Sequence, residues 1–319
     1  MQIIDNHEVI THFSFTEAIK VMEQCFEDFQ MGKISQEKRM VQQLPDGEEQ
    51  NIFAMMPAYL GRNRYFGSKI ITAFPNNHKQ KLPSHLGEII LFDSKNGQPV
   101  AMIDANAVTW IRTAAVSALA TDYLAKSSAD TLTLIGTGQQ AVSHLAAITC
   151  VRKIHRVFVY DLDETRRKQF ILEQQNNYPK LRFIDCPTLA DATMEADIIC
   201  TLTPSKYAFL SKKEVKSGAH INAIGTFTPD TRELTSDLMA SGQLYVDDYQ
   251  AVKRESGDYL IPLSEGKIDQ TNILGSLGEL VTYQKTGRTE ERVITIFDAV
   301  GLAVEDLCCA EYIYQKVKE

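Results

Sequence analysis

The stretch Thr131-Leu132-Thr133-Leu134-Ile135-Gly136-Thr137-Gly138-Gln139-Gln140-Ala141 decides the fold. Its first five residues, apolar and β-branched, read as a buried strand that runs straight into G-x-G-x-x-A. A helical pattern continues through Ala146-Ala147. In this strand–turn–helix setting the small residues have separate tasks. Gly136 permits the tight turn, Gly138 lets a pyrophosphate approach the backbone, and Ala141 lets the helix pack close to the sheet. The helix start offers free N–H groups and a partial positive charge. Gly136, Thr137, Gly138, Gln139, Gln140 and Ala141 are therefore the expected phosphate contacts. A second strand, 156–160, ends at Asp161, a carboxylate suited to the adenosine ribose hydroxyls. A carboxylate repels a 2′-phosphate, so NAD(H) is favoured, with NADP(H) as the alternative. Arg166 and Arg167 follow Asp163 and Glu164 and read as a solvated helix face.

Further strands are expected at 197–201, 220–224 and 244–247, with helices filling most of the gaps. Apolar strands alternating with helices predict a doubly wound parallel sheet. In that topology Thr201 and Thr203, then Ile224 and Gly225, lie at strand ends where a dinucleotide's ribose and nicotinamide would pass. The first hundred residues differ. Ile19, Met22, Phe26 and Phe29 recur at helical spacing within 14–32, with Ser14 or Thr16 as cap and Gly32 as stop. Strands are expected at 38–46, 50–57, 66–74, 88–93 and 100–103. Turns are read at Pro45-Asp46-Gly47 and over 94–99. These predict a mostly antiparallel sheet with a leading helix. An Ala-rich helix follows at 109–125, and a last helix is expected at about 296–316.

The chain has 319 residues, 33 Lys and Arg against 41 Asp and Glu, and a net charge of −8. Its length suits about two domains, and its charge gives no general attraction to nucleic acid or anionic lipid. Six cysteines with no C-x-x-C pair suggest neither a disulfide scaffold nor a zinc site. The Met1 end lacks a secretory pattern, and no apolar stretch approaches the ~20 residues of a bilayer span. A cytoplasmic protein without metal is expected. His220, on a buried strand, reads as structural, and Cys308-Cys309 as core or interface residues.

Beyond the glycine motif, several blocks are more specific. They are Met56-Pro57-Ala58-Tyr59, Gly67-Ser68-Lys69, Phe74-Pro75-Asn76 and Thr109-x-x-Arg112-Thr113-Ala114-Ala115. Later come Gly275-Ser276-Leu277-Gly278-Glu279-Leu280, Gly287-Arg288-Thr289 and Phe297-Asp298-Ala299-Val300-Gly301-Leu302-Ala303-x-x-Asp306. Over nearly its whole length the sequence resembles the ornithine cyclodeaminase/mu-crystallin family. The resemblance implies a homodimer whose Rossmann domain, here 126–291, is joined to an α+β dimerisation/substrate domain built from 1–125 and 292–319. It also implies NAD(P)-linked chemistry at the α-carbon of a small amino or imino acid.

All the enzyme chemistries of that family centre on a C=N or C=O beside a carboxylate. Arg39, Lys69 and Arg112 fall in its motifs as the cations that would hold the carboxylate. Arg is suited to bidentate binding, and a buried Lys has a pKa low enough for proton transfer. His85, in Pro83-Ser84-His85, is a second candidate proton donor. The resemblance places Ser84, Arg112, Thr113 and Leu302 on the cofactor side. In ornithine cyclodeaminases and archaeal-type alanine dehydrogenases an Asp stands at the position matching Phe227. The aromatic residue here suits an imine ring better than a diamine. The expected activity is reduction of a cyclic ketimine 2-carboxylate, pyrroline-2-carboxylate or piperideine-2-carboxylate, by NAD(P)H. Ornithine cyclodeamination and a non-catalytic, mu-crystallin-like binding role are the alternatives.

Overall fold

A computed structural model describes residues 1–45, 51–80 and 82–318. The chain divides into two compact units, Met1–Arg112 with Leu302–Glu319, and Thr113–Gly301. The first break falls inside helix Ala105–Leu124.

The first unit contains β1 (Gln2–Ile4), β2 (Ser35–Gln36), β3 (Met40–Gln43), β4 (Ile52–Tyr59), β5 (Tyr65–Ala73), β6 (His85–Asp93) and β7 (Pro99–Asp104). Their order is β1-β7-β6-β5-β4-β2, with β3 also on β4. Every pair is antiparallel except β1 with β7, which run parallel. Helix Ala303–Lys318 packs across β4, β5 and β6 and against helix Phe15–Gln30. Between them lie Met22, Phe26, Ile89 and Leu91, all buried. Of the two candidate caps, Ser14 is the one used: it and Glu17 form a reciprocal capping box. A short helix, Asn6–His12, precedes it and has no amphipathic stripe long enough to read from sequence. The expected strand 38–46 shortens to Met40–Gln43, and part of the expected turn at Pro45-Asp46-Gly47 lies outside the described residues.

The second unit contains β8 (Thr131–Ile135), β9 (Arg156–Tyr160), β10 (Arg182–Asp185), β11 (Ile198–Thr201), β12 (His220–Ala223), β13 (Gln243–Val246), β14 (Ile273–Ser276) and β15 (Thr295–Asp298). They form one all-parallel sheet in the order β10-β9-β8-β11-β12-β15-β13-β14. The fold is therefore α/β, a doubly wound Rossmann-type sheet together with a separate α+β unit. The strand order reverses direction at β8, the switch point beside which such sheets bind ligands at their carboxyl ends. One expectation is corrected here. The last helix does not begin near 296: Thr295-Ile296-Phe297-Asp298 is a strand between β12 and β13, and the helix starts at Ala303. Branched and aromatic side chains buried on both faces favour the strand, and Gly301, at φ 79°, stands between it and the helix.

Candidate active site

β8 is wholly buried and delivers the chain to Gly136 at φ 95°. A Cβ there would stand 3.0 Å from the Leu202 carbonyl oxygen and 3.1 Å from Thr203 Cγ2, so both conformation and space require glycine. Gly138 is the N-cap of helix Gln139–Val151, and no side chain caps it. No atom lies within 4 Å of where its Cβ would be. Uncapped N–H groups facing open space fit a pyrophosphate. Gln139 is exposed at this helix start, Gln140 is half-buried, and Ala141 is fully buried. At the end of β9, Asp161 Oδ2 accepts from the Thr137 N–H at 2.8 Å and the Thr137 hydroxyl at 2.7 Å. The acid thus stands at the loop. Arg166 is exposed beside Asp163. Arg167 is not on a solvated face as expected: it is buried, pairs with Asp185 on β10 and donates to the Asp161 carbonyl.

The strand ends at β11 and β12 converge on a residue that the sequence reading passed over. Glu233 is fully buried and accepts four hydrogen bonds. The Thr203 N–H and hydroxyl reach Oε1, both at 2.7 Å. The Thr201 hydroxyl, at 2.7 Å, and the Gly225 N–H, at 2.8 Å, reach Oε2. Thr201 is itself fully buried, its hydroxyl turned to Glu233. Behind Glu233, Asp258 accepts from the Glu233 and Leu234 N–H groups and from the Thr226 hydroxyl. Asp298, at the end of β15, accepts from Ser256. Burial, then the neighbouring Asp258, push Glu233 up to about 7. Burial pushes Asp258 up to about 6, and burial with Asp258 raises Asp298. Locally, Arg232-Glu233-Leu234 looks like any loop, so no periodicity marked it. Ile224 and Gly225 are half-buried, and Phe227 in the following loop is 45% exposed.

In the first unit, Lys69 lies opposite Met56 on β4 and Ile89 on β6. Those neighbours are buried, so the lysine points into the core face of the sheet and is only 3% exposed. Its Nζ stands 2.6 Å from Asp306 Oδ2. Asp306 Oδ1 takes a 3.0 Å bond from Arg112 Nε, and Arg112 Nη1 gives a 2.7 Å bond to Glu305. Asp306 therefore bridges the two cations. Burial lowers Lys69 to about 8 against the pull of Asp306, helped by the charges of Arg112 and Arg39. For Arg112 burial works the same way, but Asp306 and Glu305 outweigh it and raise its pKa. Burial lifts Glu305 to about 7, partly offset by Arg112. Arg39 is half-buried. Lys69 and Arg112 are cations held in place by two acids, with the Arg39 charge also acting on Lys69, so the group suits a carboxylate and includes a lysine that holds or releases a proton near neutrality. The signal for Glu305 and Asp306 was available: two adjacent acids in an otherwise apolar helical stretch, Ala303-Val304-Glu305-Asp306-Leu307-Cys308, need buried cations.

Ser84 and His85 are exposed, with Ser84 Oγ 3.0 Å from His85 Nδ1. Surrounding atoms lower the His85 pKa through desolvation, although the side chain remains open to solvent. His85 pairs with Ala73, four residues along β6 from Ile89, about 13 Å down the strand from the lysine's register position. Thr113 begins the second unit, where its carbonyl accepts from Ser117, and Leu302 is buried in the first. His220 is buried, its ring bonded to Thr295 and Asn222. Among the described residues no cluster of three or more His, Cys, Asp or Glu could hold a metal, and no helix is long and apolar enough to cross a membrane.

Comparison with known proteins adds to this geometry. The chain is 35% identical over 277 residues to a Delta(1)-pyrroline-2-carboxylate reductase of Bacillus cereus, covering 86% of this chain and 85% of that protein. Its fold is similar to Thermococcus litoralis Delta(1)-pyrroline-2-carboxylate reductase solved with NADH and L-proline. That match has a TM-score of 0.94 and 32% identity, over 100% of this chain and 98% of the other. An archaeal alanine dehydrogenase dimer with bound NAD gives a TM-score of 0.93 at 29% identity, over 100% and 96% of the two chains. Residues 1–319 match the ornithine cyclodeaminase/mu-crystallin family, and the chain belongs to that family.

Proposed function

We propose that this protein reduces a cyclic ketimine 2-carboxylate, pyrroline-2-carboxylate or piperideine-2-carboxylate, to the corresponding cyclic amino acid with NADH. The observation that carries the reading is the buried Lys69–Asp306–Arg112 cluster. Arg112, with Arg39, binds the substrate carboxylate through charge-assisted hydrogen bonds. Lys69, ionised below about 8, gives its proton to the ring nitrogen and is reprotonated from solvent between turnovers. Asp306 keeps Lys69 and Arg112 in place, so their orientation is set before substrate arrives. The nucleotide, when bound, supplies the hydride that converts the imine carbon to sp³. Residues Gly136–Ala141 and Asp161 hold its phosphates and adenosine ribose. The Asp161 carboxylate favours NADH over NADPH, since a 2′-phosphate would face a negative charge. Phe227 offers an apolar surface to a ring. The family reading also implies that two copies of the chain pair as a dimer.

The test is to follow NADH and NADPH oxidation at 340 nm with each imine. Turnover with NADH and weaker turnover with NADPH is expected, and no turnover with either cofactor rejects the reading. The likeness to the archaeal alanine dehydrogenase favours one competing reaction, pyruvate with ammonia. The apolar residue Phe227 opposes it, and the same assay run with those substrates separates the two.

A further inference from the structure

We infer that Glu233 is a positioning residue for the nicotinamide half of the cofactor, acting as a buried clamp that locks the carboxyl end of β11 to that of β12. This rests on the dinucleotide reading above. In the strand order β10-β9-β8-β11-β12, Asp161 lies on the β9 side of the switch point, where the adenosine goes. The nicotinamide half must then run toward β11 and β12. Both ends are fixed by one carboxylate: Thr201 and Thr203 on one side, Gly225 on the other. Gly225 sits so close that a Cβ would lie 2.3 Å from the Thr203 N and O atoms and 2.6 Å from Glu233 Oε1. The loops therefore touch backbone to backbone, with the acid wedged at their junction. Asp258 anchors the clamp from behind by holding the Glu233 and Leu234 N–H groups.

Only a carboxylate satisfies this geometry. Each of its oxygens faces one backbone N–H, Thr203 at Oε1 and Gly225 at Oε2. The two threonine hydroxyls can turn to adapt, but a backbone N–H can only donate. A glutamine in the same place must set its NH2 against one of those N–H groups in either orientation. One strand end is then released, while Thr137 and Asp161 keep their own contacts on the adenosine side.

The experiment measures equilibrium dissociation constants of NADH and of ADP-ribose, which lacks the nicotinamide, for wild type and E233Q at pH 8 without substrate. Thermal melts confirm that each variant is folded. E233Q is expected to weaken NADH about tenfold and ADP-ribose less than twofold. Equal weakening of both ligands, or of neither, overturns the inference. If E233Q does not fold, T201V serves, because it removes one buried donor and keeps the carboxylate. It should weaken NADH about threefold with ADP-ribose unchanged, and the same two outcomes reject the clamp. Wild type that binds NADH normally but reduces neither imine would sink the proposed activity alone and leave this test intact.

Discussion

Lys69, Arg112, Glu305 and Asp306 in the first unit are buried charges set against one another, whereas Glu233, Asp258 and Asp298 in the second are buried acids that accept from hydroxyl and backbone donors. Burial is equally deep in both places, but the outcome differs. Where a countercharge is present, Arg112 stays ionised and Lys69 comes only part of the way down, although burial still lifts Glu305 to about 7. Where like charges adjoin, burial and repulsion act together and the acids rise. The first arrangement is suited to meeting an anion and moving a proton. The second is suited to holding backbone in place, because a carboxylate accepts several N–H bonds at once.

The largest effect that tests this contrast is on the lysine. K69M should lower kcat for imine reduction by about 10²- to 10⁴-fold, the range for loss of a general acid. NADH binding should change little. Steady-state rates and a separate NADH titration check this, and a variant keeping a tenth of wild-type kcat shows that another group supplies the proton. Next in size is a stability comparison. D306N removes the charge shared by Lys69 and Arg112, and breaking a buried pair costs about 3–5 kcal/mol. D258N removes one like charge from the acid group while disturbing hydrogen bonds, so about 1–2 kcal/mol is expected. Urea unfolding of both variants measures the difference. Equal losses would mean that the two groups are not held by different physics.

How much of this was legible in the sequence follows from the same contrast. The phosphate loop is local: strand, two glycines and helix lie within eleven consecutive residues, and each has a backbone task. The cation cluster joins residue 69 to residues 305 and 306, and only the family blocks brought Lys69 and Arg112 together in advance. Their acids were quoted or passed by without a role: two adjacent acids in an apolar helical stretch signal buried cations, but pairing across 237 positions has no periodicity to say which. Glu233 was less visible still, since its partners are backbone N–H groups that no side-chain pattern encodes. Strand β15 was absorbed into the last helix because four residues are too few to show a period of two against 3.6. The local reading has its own check. G138A, at φ −76° with open space beyond the Cα, should leave stability unchanged within about 1 kcal/mol. It should weaken NADH about tenfold by filling the space that the phosphates need. Unchanged NADH affinity would mean that the pyrophosphate does not pass over Gly138.

The remaining effect, spread over several pH units and with a sign for each group, is the pH dependence of stability. Glu233 and Asp258 stand at about 7 and about 6 in the fold, above their ordinary values of 4.5 and 3.8. Between those limits the native state binds more protons than the unfolded chain, so their contribution falls as pH rises from about 4 to about 7. Lys69 behaves oppositely. Its native value of about 8 lies below the ordinary 10.5, so in that window the unfolded chain binds more protons and stability rises with pH. Each group gives at most about 1.4 kcal/mol per pH unit. Urea midpoints measured from about pH 4 to about pH 10 should therefore show the wild type gaining on K69M above about pH 8, and D258N flattening the decline between about pH 4 and about pH 6. The proposed activity runs against the Lys69 arm: with Lys69 as the proton donor, kcat for imine reduction should fall above about pH 8 while the wild-type fold grows firmer relative to K69M. A rate that rises through the same interval would separate the proton donor from Lys69 and leave that residue as a carboxylate ligand alone.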